Sequence, residues 1–246
     1  MAISTNSIIH YTDSLDKIKS ILTEGFRIKY CAEVLKLGKK GSSQAAHPMV
    51  SFCDIPLSDS KQHFDAYGKY GIGLSKTWAI KEGINPVIYI DRNSLIADSI
   101  YELIKERRNK NSNLTKKQKI EILQIKSYAK NYSGQLKRKN VNTQNYKFYD
   151  EREWRLIPRS STINNKKFSV SLKYYKKNKS KYNNKIADCR LSFEAQDISY
   201  IIVENTSEIH EMIMFLRNNY STRCSANELD ILFSKICSTE QIIADY

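Results

Sequence analysis

No apolar run in this sequence approaches the length a membrane crossing needs. Runs such as YIIV at 200–203 fall far short of the roughly 20 residues that span a bilayer. The opening MAISTNSIIHYTD has neither a basic leader nor a long apolar segment, so no secretory signal is expected. The expectation is a cytoplasmic chain with no membrane contact. The cysteines, at 31, 53, 189, 224 and 237, are odd in number, scattered, and never spaced C-x-x-C. That argues against a disulfide framework or a bound metal and for reduced thiols. There is no H-E-x-x-H, no nucleophile elbow and no dinucleotide fingerprint. YGKYGIGLSK (67–76) is rich in glycine but does not fit the phosphate-loop pattern. Glycines so placed indicate close approach of another strand or of a ligand, tight packing being the simpler cause. No internal repeat is present.

Acidic residues are scarce in the middle of the chain. From Lys105 to Lys185 there are 24 Lys and Arg against 5 Asp and Glu, a local charge of +19, although the whole chain carries +14. Two explanations stay open. One is a surface that attracts nucleic acid. The other is the Lys, Asn, Ile and Tyr bias of an AT-rich genome, though bias alone would spread the charge evenly. With 246 residues and 41% hydrophobic content the chain suits a single domain, 1–246, with a real core. The mean hydropathy of −0.54 fits a water-soluble protein.

Periodicity predicts a strand at SIIHY and a helix after it, capped by Asp13, with Leu15, Ile18, Ile21 and Leu22 on one face and a stop at Gly25. FRIKY, MVSFCDIPL, IGLSK, NPVIYID, KFSVSLKYYKK and DISYIIVEN read as strands. TWAIKEG, SLIADSIYELIKERR and SEIHEMIMFLRNNY read as helices. EVLKLGKKGSSQAAHP (33–48) reads as a loop or helix fragment, KNKSKYNNK as a solvated loop, LDILFSKI as helix or strand, and QIIADY as a final strand. Residues 105–147 read as a basic helical insertion with mobile ends, with Ile122, Ile125 and Ala129 on its apolar side. Strands outnumber helices without a βαβ rhythm. The expected class is therefore α+β, with a mixed, mostly antiparallel sheet.

FYDEREWRLI (148–157) reads as a strand. Alternation then puts Tyr149, Glu151, Glu153 and Arg155 on one face, with Phe148, Trp154 and Leu156 on the other. Two carboxylates so close repel unless something positive binds them. One reading is a solvated face neutralised by Arg155 and nearby lysines. The other is a cleft wall whose glutamate stabilises positive charge developing on a sugar, as glycosyl transfer requires. His10 and Thr12, at the end of the first strand, are weak signals alone. His47, His63 and His210 read as loop, surface or structural residues.

HYTDSLDKIKSILTEGF (10–26), SFCDIPLSDSKQHFDAYGKYGIGLSKTWAIKEGINPVIYI (51–90) and DEREWRLIP (150–158) resemble the AbiGi-like family. These are bacterial proteins of abortive infection, a phage-defence strategy. The opening also resembles, more loosely, ADP-ribosyltransferase-like domains. That second resemblance implies an ADP-ribosyltransferase-like fold and NAD as co-substrate. By it, Glu153 and Glu151 would be catalytic. His10, Tyr11, Thr12, Ser51, Tyr67, Tyr70 and Arg155 would bind the cofactor, His10 at the adenosine ribose and Tyr67 or Tyr70 stacked on nicotinamide. It further implies that His10 and Glu153 meet in one cleft. The sequence departs from that superfamily in having VSFCDIP where S-T-S would stand. The expectations are an effector that transfers ADP-ribose from NAD to a protein or nucleic acid, or, alternatively, a non-catalytic antitoxin or phage-sensing partner of a two-gene system. A toxin or antitoxin partner protein, and nucleic acid bound through residues 105–185, are the partners those readings imply.

Overall fold

The computed structural model describes residues 4–137 and 141–245, with only the backbone of Lys40 and Gln62. SIIHYT forms β1 (Ser7–Thr12), and α1 (Leu15–Glu24) follows. Ser14, not Asp13, caps α1 by accepting the Lys17 N–H; Asp13 instead pairs with the Lys17 ammonium. Ile18 and Leu22 face inward, and Gly25 at φ 81° ends the helix. Then come β2 (Phe26–Arg27), β3 (Lys29–Leu37), β4 (Gly41–Cys53), α2 (Lys61–Tyr67), β5 (Tyr70–Ser75) and α3 (Lys76–Lys81). NPVIYID divides into β6 (Asn85–Pro86) and β7 (Ile88–Ile90). Ser94 caps α4 (Leu95–Arg108), and a Thr115–Gln118 capping box opens α5 (Lys116–Tyr128). Next are β8 (Ala129–Asn131), β9 (Ser133–Lys137), β10 (Asn142–Lys147), β11 (Glu153–Leu156) and β12 (Val170–Ser171). The chain closes with α6 (Leu172–Lys177), α7 (Lys179–Asn184), β13 (Arg190–Leu191), β14 (Ile198–Val203), α8 (Glu208–Tyr220), α9 (Ala226–Phe233), β15 (Ile236–Ser238) and α10 (Thr239–Asp245).

One sheet runs β15-β14-β5-β1-β4-β11-β6, and β3 and β12 pair with the remaining length of β4. Its described pairings are antiparallel except β14 with β15. The 13-residue β4 is the spine: Val50–Cys53 pair with β11, and Gly41–Met49 pair with β3 as a long hairpin. The class is thus α+β on a mostly antiparallel sheet.

Alternation sorts β1 onto two cores. Ile8 joins α1, Phe26, Phe52, Ile72, Trp78 and α8 in the main core. Ile9 and Tyr11 point the other way, to Phe64, Ile202 and Ile242. A third cluster joins Leu35 and Leu37 of the hairpin tip to Ile100 and Ile104 of α4 and Ile122 of α5.

Several segments differ from their sequence reading. Residues 33–48 form the β3–β4 hairpin, not a loop. Gly38 and Gly41, at φ 64° and 141°, turn the chain there, and the tip finds its apolar partners on α4 and α5. SLKYYKK and QIIADY, read as strands, differ: Leu172–Lys177 form α6, residues 241–245 lie in α10 with Tyr246 outside the described residues, and KNKSKYNNK is mostly α7. SDSKQHFDAYGKYG contains α2. The basic insertion is only half helical: after α5 it continues as β8 and the β9–β10 hairpin. Arg138, Lys139 and Asn140 of that insertion lie outside the described residues. The buried side of α5 is Ile122, Leu123, Lys126 and Ser127, while Ile125 is exposed.

Candidate functional site

The strand expected over 148–157 is shorter than its pattern. Phe148–Glu151 make a 3-10 turn, and Arg152 is left-handed at φ 43°, leaving only Glu153–Leu156 extended. The turn does not scatter the acids. Glu151 and Glu153 are both buried, and Lys130 of β8 stands between them, donating to Glu151 and, at 2.7 Å, to Glu153 Oε2. Arg155 grips Glu153 on both oxygens, Nε to Oε1 at 2.6 Å and Nη2 to Oε2 at 3.0 Å. The same guanidinium donates to the Ser127 carbonyl at 2.7 Å and to Glu33 at 3.2 Å. Tyr67 of α2 donates to Glu151, and the Glu153 backbone N–H donates to Tyr89 Oη at 2.7 Å.

The electrostatics follow from these contacts. Burial pushes the Glu153 carboxyl up, but the charges and hydrogen bonds of Arg155 and Lys130 outweigh it, holding it well below the usual carboxylate range. Lys130 is desolvated as well, yet Glu153 and Glu151 keep its ammonium charged. Every oxygen of the two carboxylates has a donor. The positive charge that the pair demands is the protein's own Lys130 rather than a substrate's.

Register decides which other predicted residues meet this cluster. Ile9 pairs with Cys53, Cys53 with Glu153, and Ser51 with Arg155, so these side chains share one face of the sheet. Tyr11, two residues from Ile9, lies on that face and bonds Ser60 Oγ at 2.7 Å. Glu151, Glu153, Arg155 and Tyr67 are therefore brought into direct contact, with Ser51 and Tyr11 on the same side. His10 and Thr12 point to the opposite face, beside Phe26, Phe52 and Val50. Tyr70, paired with Thr12, bonds Glu208 at 2.8 Å. The expected His10–Glu153 cleft is not formed, because neighbouring residues on a strand project oppositely and Ile9 is the one in Glu153's row.

His10 has a structural task. Its Nδ1 lies 2.8 Å from the Ser51 carbonyl, and since a carbonyl only accepts, Nδ1 carries the proton. Burial and the Lys29 charge lower its pKa, against the raising effect of that bond, so the ring is neutral. On the cluster's margin, Lys126 Nζ donates to His47 Nε2 at 3.1 Å. Burial, with Arg108 and Arg107 nearby, takes that ammonium down to about 8. Burial, with Lys126 beside it, takes His47 down to about 3.

Sequence reasoning missed Lys130, Glu33, Tyr89 and Ser127. Lys130 carried no signal beyond being a lysine among apolar neighbours in YAKNY, and the other three lie on separate elements. All five cysteines are unpaired. Among the described residues no group of three or more His, Cys, Asp or Glu is placed to hold a metal, and no helix is long and apolar enough to cross a membrane.

Fold and cluster together define an α+β protein on a mostly antiparallel sheet, with a buried carboxylate pair neutralised by internal cations. The family model described as abortive phage resistance protein AbiGi, antitoxin, matches residues 24–204. The chain belongs to that family. It is 28% identical over 244 residues to the abortive phage resistance protein AbiGi of Lactococcus lactis subsp. cremoris, covering 87% of this chain and 95% of that protein. No solved structure matches it.

Proposed function

We propose that this chain acts in abortive phage infection as the non-catalytic, antitoxin half of a two-component system, restraining a toxic partner protein. The observation that carries the reading is the closed state of Glu153. Both its oxygens are bound by Arg155 and Lys130, and His10 lies on the other face of the sheet. A glycosyl-transfer glutamate has to face a substrate cation, and this one faces two internal cations. The description of the family as an antitoxin supports the same reading. Lys116 and Lys117 of α5, Lys173 and Lys176 of α6 and Lys181 of α7 are exposed and give an acidic partner surface a complementary field.

The test is expression of this chain with and without the toxin gene of its system. Alone, it is expected to leave growth unchanged; together, it is expected to relieve the toxin's growth arrest and to co-purify with the toxin. Growth arrest by this chain alone, with loss of cellular NAD, abolished by Glu153→Gln in a protein that still folds, would overturn the proposal in favour of an ADP-ribosyltransferase-like effector.

A further inference from the structure

The face of the sheet opposite the carboxylate cluster carries a cavity of about 420 Å³. Small-molecule sites run from roughly 300 to 1,000 Å³. Its origin is the parting of two strands: β1 and β4 share a single register pair, Ile9 with Cys53, and then diverge. The imidazole of His10 bridges the gap by taking the Ser51 carbonyl, and α1, β2 and β13 close the space around it.

The charged groups of the cavity are mostly of one sign. Lys17, Arg27, Lys29 and Arg190 line it against one acid, Glu24. Lys17 is occupied by Asp13, and Arg190 by Glu24 and the Ala187 carbonyl. Among the described residues Arg27 and Lys29 have no ion-pair partner. Arg27 and Arg190 are also register partners across β2 and β13. Like charges directly opposite on paired strands destabilise a sheet, and Glu24 offsets only the Arg190 half of this pair. A second recognition group comes from His10. With its proton committed at Nδ1, Nε2 is an acceptor, and no protein donor among the described residues meets it. Ile21 and Val50 supply apolar wall, and Thr12 and Ser20 hydroxyls.

We propose that this cavity binds a small phosphorylated molecule bearing a hydroxyl or amino group, with Arg27 and Lys29 holding the phosphate and Nε2 of His10 accepting from the donor group. The proposal is independent of the antitoxin reading: that reading needs only that His10 lies apart from Glu153, and the cavity uses none of Glu153, Arg155, Lys130 or the exposed lysines of α5, α6 and α7. Phosphate suits an Arg–Lys pair, the guanidinium offering fork geometry and the ammonium a point charge.

The test is calorimetric titration of the purified full chain with AMP and, separately, with inorganic phosphate. The expected result is binding of AMP at least tenfold tighter than inorganic phosphate. The exposed-site variant Arg27→Glu/Lys29→Glu is expected to lose at least tenfold in AMP affinity at an unchanged unfolding temperature. Lys29→Ser serves as a milder second variant and is expected to show a smaller loss in the same direction. No detectable AMP binding to the wild type, equal affinity for AMP and inorganic phosphate, or binding untouched by both variants would each overturn the proposal.

Discussion

The side chain on which most depends is Arg155. It is fully buried and joins strand β11 to the last turn of α5 and to the hairpin strand β3 through Ser127 and Glu33. Removing one partner of a buried pair leaves the other charged and unsolvated, at a cost of about 3–5 kcal/mol. Arg155→Ala is expected to destabilise the protein on that scale in chemical denaturation, and Glu153→Gln in the same background to recover part of the loss. The pair also sets a pH dependence. The Glu153 carboxyl is lower in the folded chain than its ordinary 4.5, so the folded state favours the ionised form. That contribution is complete above the ordinary value and is lost as pH falls through the folded one. Glu153→Gln is expected to flatten the acid limb of a stability-versus-pH curve. Local pattern correctly put Glu153 and Arg155 on one face and Trp154 and Leu156 toward the main core. It left Lys130 out, because that residue reaches the carboxylates only after α5 and β8 have docked.

At the scale of elements, tight packing accounts for the glycines of β5. A Cβ on Gly73 would lie 2.8 Å from Tyr200 Cδ2 and 3.1 Å from its Cβ, so the absent side chain is what lets β14 close against β5. Gly73→Val is expected to cost about 1–3 kcal/mol by overpacking. Tyr200→Ala is expected to rescue part of that loss in a double-mutant cycle measured by urea denaturation. β1, α1, β5, α4, β14 and α8 were legible because each has its own period and punctuation. The β3–β4 hairpin was not, because its pattern is irregular and its apolar partners lie far away on α4 and α5. The helices α6, α7 and α10 were missed for a related reason. Tyr and Ile favour strands, while burial of Leu172, Tyr175 and Ile242 against existing surfaces favours the helical spacing.

At the scale of the whole molecule, the cluster of hairpin tip, α4 and α5 is much smaller than the main core and sits outside it. Units with few buried contacts open first. Amide hydrogen exchange is expected to be faster in α4 and α5 than in β1, β5 and β14, and equal protection throughout would show one cooperative unit instead. The basic character of the middle of the chain falls partly on this unit and partly on α6 and α7. Composition, periodicity and quoted motifs determined the α+β class, the antiparallel bias, the strand and helix punctuation near the N-terminus, and the AbiGi resemblance, because all of these are written in residues close together along the chain. Only the tertiary structure decided that His10 and Glu153 face apart and that Lys130 and Arg155 close the carboxylate pair. It alone opened a basic cavity where β1 and β4 part. Register between strands some forty to a hundred residues apart along the chain is set by packing of whole elements, and a one-residue shift in it reverses every face.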